Sequence, residues 1–201
     1  MTKKLYGVLV PLIAVVAFVG MPAAAQASPH WYKEGTRLPF TSVKTGTVMS
    51  GNLKFTYSDG LVVTCQMLGA GDIWNTTLAN DGKGNLEVFQ NYGCVSAQCA
   101  TFSILPGKLP YETELTEKTT GTIRDSMKIT ELVVTCSGTS LTFSGIVEPK
   151  VVDGTSKTAP TVLEFGSGSG TLTGPGGVTF TWEGRLKLEG EEQELITAKN
   201  P

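Results

Sequence analysis

LVVTC occurs twice in the chain, as Leu61-Val62-Val63-Thr64-Cys65 and as Leu132-Val133-Val134-Thr135-Cys136. Three of the five residues are β-branched, and such side chains fit a pleated, half-buried surface better than a helix. Alternation with period two puts Leu61, Val63 and Cys65 on one face, and Leu132, Val134 and Cys136 on the matching face of the second copy. The flanks of the two copies do not match. The repeat therefore reads as two equivalent strands with inward cysteines, not as a duplicated domain.

The same pattern extends outward. Leu141-Thr142-Phe143 and Val178-Thr179-Phe180-Thr181-Trp182 are again β-branched and aromatic. Tyr111 to Lys118 follows Pro110 and is rich in Thr, which favours strand over helix. Turn signals stand between these runs at Ser58-Asp59-Gly60, Asn80-Asp81-Gly82, Ser137-Gly138, Val152-Asp153-Gly154 and Pro175-Gly176-Gly177. No window carries a helical stripe. The expected fold is all-β: an antiparallel β-sandwich or barrel of short strands, stapled by disulfides.

The first 27 residues read differently. Lys3 and Lys4 precede an apolar run from Leu5 to Gly20, and Ala25-Gln26-Ala27 follows as a small-residue cleavage signal. This is the pattern of a secretory signal peptide, with cleavage expected before Ser28. The run is short for a membrane span, which needs about 20 apolar residues. Residues 28–201 then form a single β-domain. Removing the leader takes away Lys3 and Lys4, leaving 14 Lys/Arg against 18 Asp/Glu, a net charge of −4. No basic cluster is present, which argues against nucleic acid or an anionic membrane surface as partner.

A secreted chain with four cysteines, Cys65, Cys94, Cys99 and Cys136, is expected to form disulfides. Four cysteines allow three pairings. Equivalent inward positions favour Cys65–Cys136, and proximity favours Cys94–Cys99, which would hold out Val95-Ser96-Ala97-Gln98 as a rigid loop. Metal chemistry fits poorly. Zinc needs four N/S ligands, a second close cysteine pair is missing, and His30 is the only histidine. A redox centre would prefer C-x-x-C beside a βαβ unit. Gly166 to Gly170 resembles a nucleophile elbow but has Gly168 where the serine belongs, and His30 lies upstream of it. Asn80-Asp81-Gly82-Lys83-Gly84-Asn85 lacks the ligand order of a calcium loop. No cofactor is expected.

Two groups of residues remain as candidates. Glu112 and Glu114 share one face of a strand, with Glu117 following and Glu164 set between Leu163 and Phe165. Paired acids are what a glycoside hydrolase requires, at about 5–9 Å separation, but solvated strand faces carry such pairs routinely. Trp31, Trp74 and Tyr111 are candidate stacking platforms for a sugar, while Trp182 alternates with Phe180 and Val178 and reads as core. Asn75-Thr76-Thr77 is a glycosylation sequon that matters only in a cell able to use it.

Further residues carry a resemblance. His30-Trp31-Tyr32, Asp72-Ile73-Trp74-Asn75, Gly93-Cys94 with Cys99, Leu109-Pro110-Tyr111-Glu112-Thr113-Glu114-Leu115, Glu148-Pro149-Lys150, Leu163-Glu164-Phe165 and Lys187-Leu188-Glu189-Gly190 span most of residues 28–201. In this order the chain resembles a group of uncharacterised secreted all-β proteins of soil actinobacteria. It departs from that group at Tyr111, where the usual residue is Trp. The resemblance implies a secreted all-β protein and transfers no catalytic residue. The functional expectation is a secreted or cell-surface, non-enzymatic β-domain with a binding or structural role. Its partner would be a cell-wall polysaccharide or another extracellular protein. The alternatives are a carbohydrate-binding module, a glycoside hydrolase, and an inhibitor of secreted proteases using the 95–98 loop as bait.

Overall fold

The computed structural model of the protein describes residues 28–40, 43–76, 82–119 and 121–200. The leader at 1–27, Asn80 and Asp81 of the expected turn, and Thr77 of the sequon lie outside the described residues. Of the two architectures expected, the barrel is the one formed. Its strands follow one another as a closed antiparallel meander. β1 (His30–Lys33) and β2 (Thr36–Arg37) precede it. Five staves are continuous: the one that closes the ring, and β3 (Thr45–Tyr57), β4 (Val62–Asn75), β5 (Gly82–Val95) and β8 (Thr122–Cys136). Three staves are each broken in two: β6 (Phe102–Pro106) with β7 (Tyr111–Thr119), β9 (Thr139–Val147) with β10 (Lys150–Val152), and β11 (Thr161–Phe165) with β12 (Leu172–Thr173). β13 (Thr179–Gly190) pairs with β3 from Phe180↔Tyr57 to Gly190↔Thr47 and closes the ring. β14 (Ile196–Lys199) follows the barrel. The continuous staves run 12–15 residues, longer than the short spans that the turn spacing suggests.

Alternation decides what faces inward. β3 points Met49, Leu53, Phe55 and Tyr57 into the barrel, and β4 points in Val63, Cys65 and Met67. Phe143, Phe165, Phe180 and Trp182 complete an aromatic centre. Phe55 stacks on Phe180 at 5.2 Å, and Phe165 on Trp182 at 5.6 Å. An eight-stave barrel is just wide enough for its side chains to fill. Here they do: the void between Met49, Met67, Leu86, Phe89, Met127 and Trp182 is about 10 Å³, about one water molecule. The outer wall carries Asn52, Lys54, Gln66, Arg185 and Lys187. An apolar inside and a charged outside are the reverse of a membrane barrel, whose outer band is apolar. Among the described residues no helix is long and apolar enough to cross a membrane.

The second LVVTC keeps its inward phase through a device invisible to periodicity. The β8–β9 register shifts between Ile129 and Leu132, and Glu131 sits at φ 56°. This bulge absorbs an extra residue, so Ile129, Leu132 and Val134 all reach the core.

The two ends of the barrel are closed by different means. At one end Cys65 bonds to Cys94 and Cys99 to Cys136, with Cα separations of 4.1 and 5.3 Å. The expected pairs Cys65–Cys136 and Cys94–Cys99 are thus corrected. Cys65 and Cys136 do share an end, but β5 and β6 stand between their strands. A disulfide cannot bridge Cα atoms more than about 7 Å apart, and adjacent strands keep them within that limit. β4 and β5 are neighbours around Thr64↔Val95, and Phe102↔Cys136 brings Cys99 to β8.

At the other end β1, β2 and β14 form a three-stranded lid, with Trp31 opposite Ala198. Its anchor is Asn75, fully buried at the end of β4. Trp31 N–H donates to Asn75 Oδ1 at 2.8 Å, and Asn75 Nδ2 donates to Trp31 O at 3.0 Å and Leu38 O at 2.9 Å. Ala198 N–H donates to Asp153 Oδ1 at 2.7 Å, and Thr161 Oγ1 donates to Ile196 O. Beneath the lid Asp125 is 5% exposed. Its burial pushes the carboxyl up to about 6, against a hydrogen bond from Thr113 that opposes the rise.

Candidate binding groove on the barrel wall

The structure separates the sequence candidates. Trp31 and Tyr111 are each 1% exposed and belong to the lid and the core. Neither can offer a ring face to a sugar, so both are corrected from platform to packing. Trp31 roofs the barrel opposite Ala198, and Tyr111 opposes Leu86 on β5. Burial pushes the Tyr111 phenol up to about 12. Trp74 behaves differently. It lies on the outward phase of β4 and is half-buried.

Register brings further groups to it. Trp74 opposes Lys83 on β5, Lys83 opposes Glu114 on β7, and Glu114 opposes Ser126 on β8. One row along, Thr113↔Met127 sets Glu112 beside Lys128. Trp74, Lys83, Glu112, Glu114, Ser126 and Lys128 line an open groove of about 480 Å³. Lys83 Nζ meets Glu114 Oε2 at 2.8 Å, and Ser126 Oγ donates to Glu148 Oε1 at 3.2 Å. Lys44 stands over the Trp74 ring at 5.1 Å and reaches Asp72 at 3.4 Å, a cation–π contact that steadies the indole.

The groove therefore offers one indole edge and alternating carboxylates and ammoniums. That set recognises polar, hydroxyl-rich surfaces through several hydrogen bonds. It is poorly built for acid catalysis. A general acid is raised by an apolar pocket, whereas the Glu114 side chain is 47% exposed and committed to Lys83. Glu164 is on another wall, bound by Arg185. Among the described residues no group of three or more His, Cys, Asp or Glu could hold a metal.

The 95–98 segment also differs from expectation. Its ends are stapled to different strands, Cys94 to β4 and Cys99 to β8. Val95 is 72% exposed, but Ser96 Oγ donates to Val62 O at 2.9 Å and Val62 N–H donates to Gln98 Oε1 at 3.2 Å. The loop is tied down along β4 rather than held out. Lys83, Ser126 and Lys128 escaped the sequence reading because only the strand register gathers them. The alternation of Glu112 and Glu114 was the one visible sign that this wall is polar. No family model, no curated protein and no solved structure matches the chain.

Proposed function

We propose that this protein is a secreted, non-enzymatic binding barrel that holds a cell-wall polysaccharide against the Trp74 groove. One observation carries the reading. The lumen is filled to a void of about 10 Å³, while the wall beside Trp74 opens a groove of about 480 Å³. A ligand must then be met from outside. Two disulfides suit an oxidising compartment, in line with the expected leader. Of the three expected platforms, Trp74 alone keeps part of its ring accessible, flanked by donors and acceptors that match hydroxyl groups.

The test is affinity electrophoresis through gels containing insoluble-wall extracts and purified neutral polysaccharides. The protein should be retarded by at least one of them. Trp74→Ala should abolish the retardation while shifting Tm little, since a half-exposed ring contributes modestly to stability. Equal retardation of the variant, or free migration of the wild type through every polymer, would overturn the proposal.

A further inference from the structure

A second surface, on the other flank of β4, has a different character. The ladder places one residue from each of five strands in a row across the outer wall: Glu164, Arg185, Asn52, Gln66 and Tyr92. Strands lie about 4.8 Å apart, so the row is about 19 Å long. Beside it runs Lys187, opposite Ser50. Arg185, Asn52, Gln66 and Tyr92 of this row line a shallow groove of about 720 Å³ with Ser50 and Lys187.

The floor of this groove is built on close backbone approaches. Gly51 and Gly184 lie on the inward phase where β3 meets β13. A Cβ on Gly51 would stand 2.2 Å from Arg185 O, and one on Gly184 2.3 Å from Asn52 O. Only glycine permits this approach, and Gly184 also has φ 136°. β3 and β13 therefore approach closely beneath Asn52 and Arg185.

We infer that this groove binds an anionic glycan, with Arg185 and Lys187 meeting its acidic groups and Tyr92 stacking on a sugar ring. Charge is the first argument. The whole chain carries −2, yet no carboxylate lines the groove and two cations do. Glu164 and Glu183 border it, and each is engaged, by Arg185 and by Lys54 at 2.8 Å. Arg185 is ion-paired with Glu164 but still presents donors. Its Nε and one Nη donate to the same Glu164 oxygen, which leaves three of its five N–H donors free to turn outward. The side chain is 72% exposed. Lys187 makes no ion pair among the described residues.

Shape and chemistry choose the ligand class. Tyr92 is 52% exposed beside a register shift between β4 and β5, and bulges re-aim side chains in this way. An exposed ring next to two amides, Asn52 and Gln66, pairs an apolar sugar face with its hydroxyls. Strand addition of an extended peptide needs a free sheet edge, and the pairings β11–β13–β3–β4–β5 leave none here; an acidic peptide held by side chains alone is what the polyglutamate arm below tests.

The experiment measures retardation of the full protein in gels containing polygalacturonate, a polyol-phosphate polymer, a neutral glucan or polyglutamate. Wild type should be retarded by one or both anionic glycans, less so as salt rises. Whichever of the two retards it identifies the source of the charge. Arg185→Gln with Lys187→Gln should weaken association at least tenfold, and Tyr92→Ala severalfold. Lys54→Gln, which removes a positive charge outside the groove, should leave it unchanged, as should Trp74→Ala. The inference fails if Lys54→Gln weakens binding as much as the double variant. It also fails if polyglutamate binds as well as the glycans, or if no anionic glycan is retained. Loss in Trp74→Ala with retention in the double variant would overturn it and leave the Trp74 reading standing.

Discussion

The two ends of the barrel contain strands of similar composition but are secured by opposite chemistry. At one end two disulfides tie neighbouring staves together: β4 to β5, and β8 to the segment before β6. At the other, the first and last strands fold over the opening; Asn75 and Thr161 donate hydrogen bonds to them, and Asp153 accepts one from Ala198 N–H. The first closure acts chiefly on the unfolded chain, by shortening its loops. The second acts on the folded state, by satisfying backbone groups that would otherwise be buried without partners. One end should therefore respond to reductant and the other to pH and to single polar substitutions.

The largest expected effect is at the covalent end. The bridges close separations of 29 and 37 residues, and the chain-entropy model assigns each about 3.5–4 kcal/mol. Replacing either pair by alanine should lower the denaturant midpoint accordingly, with the denaturant slope rising as the unfolded chain expands. Urea titration of the two double variants checks this, and a loss below about 1 kcal/mol in both would remove the contrast.

Next comes Asn75→Ala. It strips the partner from Trp31 N–H and from Leu38 O in a buried site, and leaves Trp31 O with the Leu38 N–H alone. A cost of about 3 kcal/mol follows from leaving such groups unmade. The lid should loosen first, seen as faster amide exchange at Trp31 and Ala198 before any change at Cys65.

A smaller effect, of about 2–3 kcal/mol, belongs to pH. Burial raises Asp125 to about 6 from an ordinary value of 3.8. The folded state then binds the proton more tightly than the unfolded state. The Asp125 contribution to stability is greatest below about pH 4, falls as pH rises through 6, and is level above that. Burial also raises Asp153, despite the Ala198 N–H and Lys199, and acts in the same direction. Asp125→Asn should flatten the stability profile between pH 4 and 6. An unchanged slope would place the titrating group elsewhere.

Much of the wall was legible in the chain. LVVTC alternates as read, with Val63, Cys65, Leu132 and Val134 buried, because period two survives any choice between sandwich and barrel. The Ser137-Gly138 turn forms with φ 47° and 86°, a geometry that Gly138 suits. The disulfide partners were not legible, because they depend on which strands are neighbours, and inward phase alone does not say so. The fate of the aromatics was hidden for a related reason. Trp31 and Tyr111 resemble Trp74 in sequence context, but the lid covers one and the β5–β7 pairing buries the other. The row from Glu164 to Tyr92 joins residues up to 133 positions apart in the chain (Asn52 to Arg185), and no local pattern announces it.

Hydrogen exchange resolved by residue, with and without reductant at pH 5, tests the independence of the two ends most directly. With both disulfides reduced, protection should fall first at Val63, Cys65, Tyr92 and Val134. Trp31, Asn75 and Ala198 should keep theirs until global unfolding. Equal and simultaneous loss at both ends would contradict the account, because it would make the barrel one cooperative unit with no separate closures.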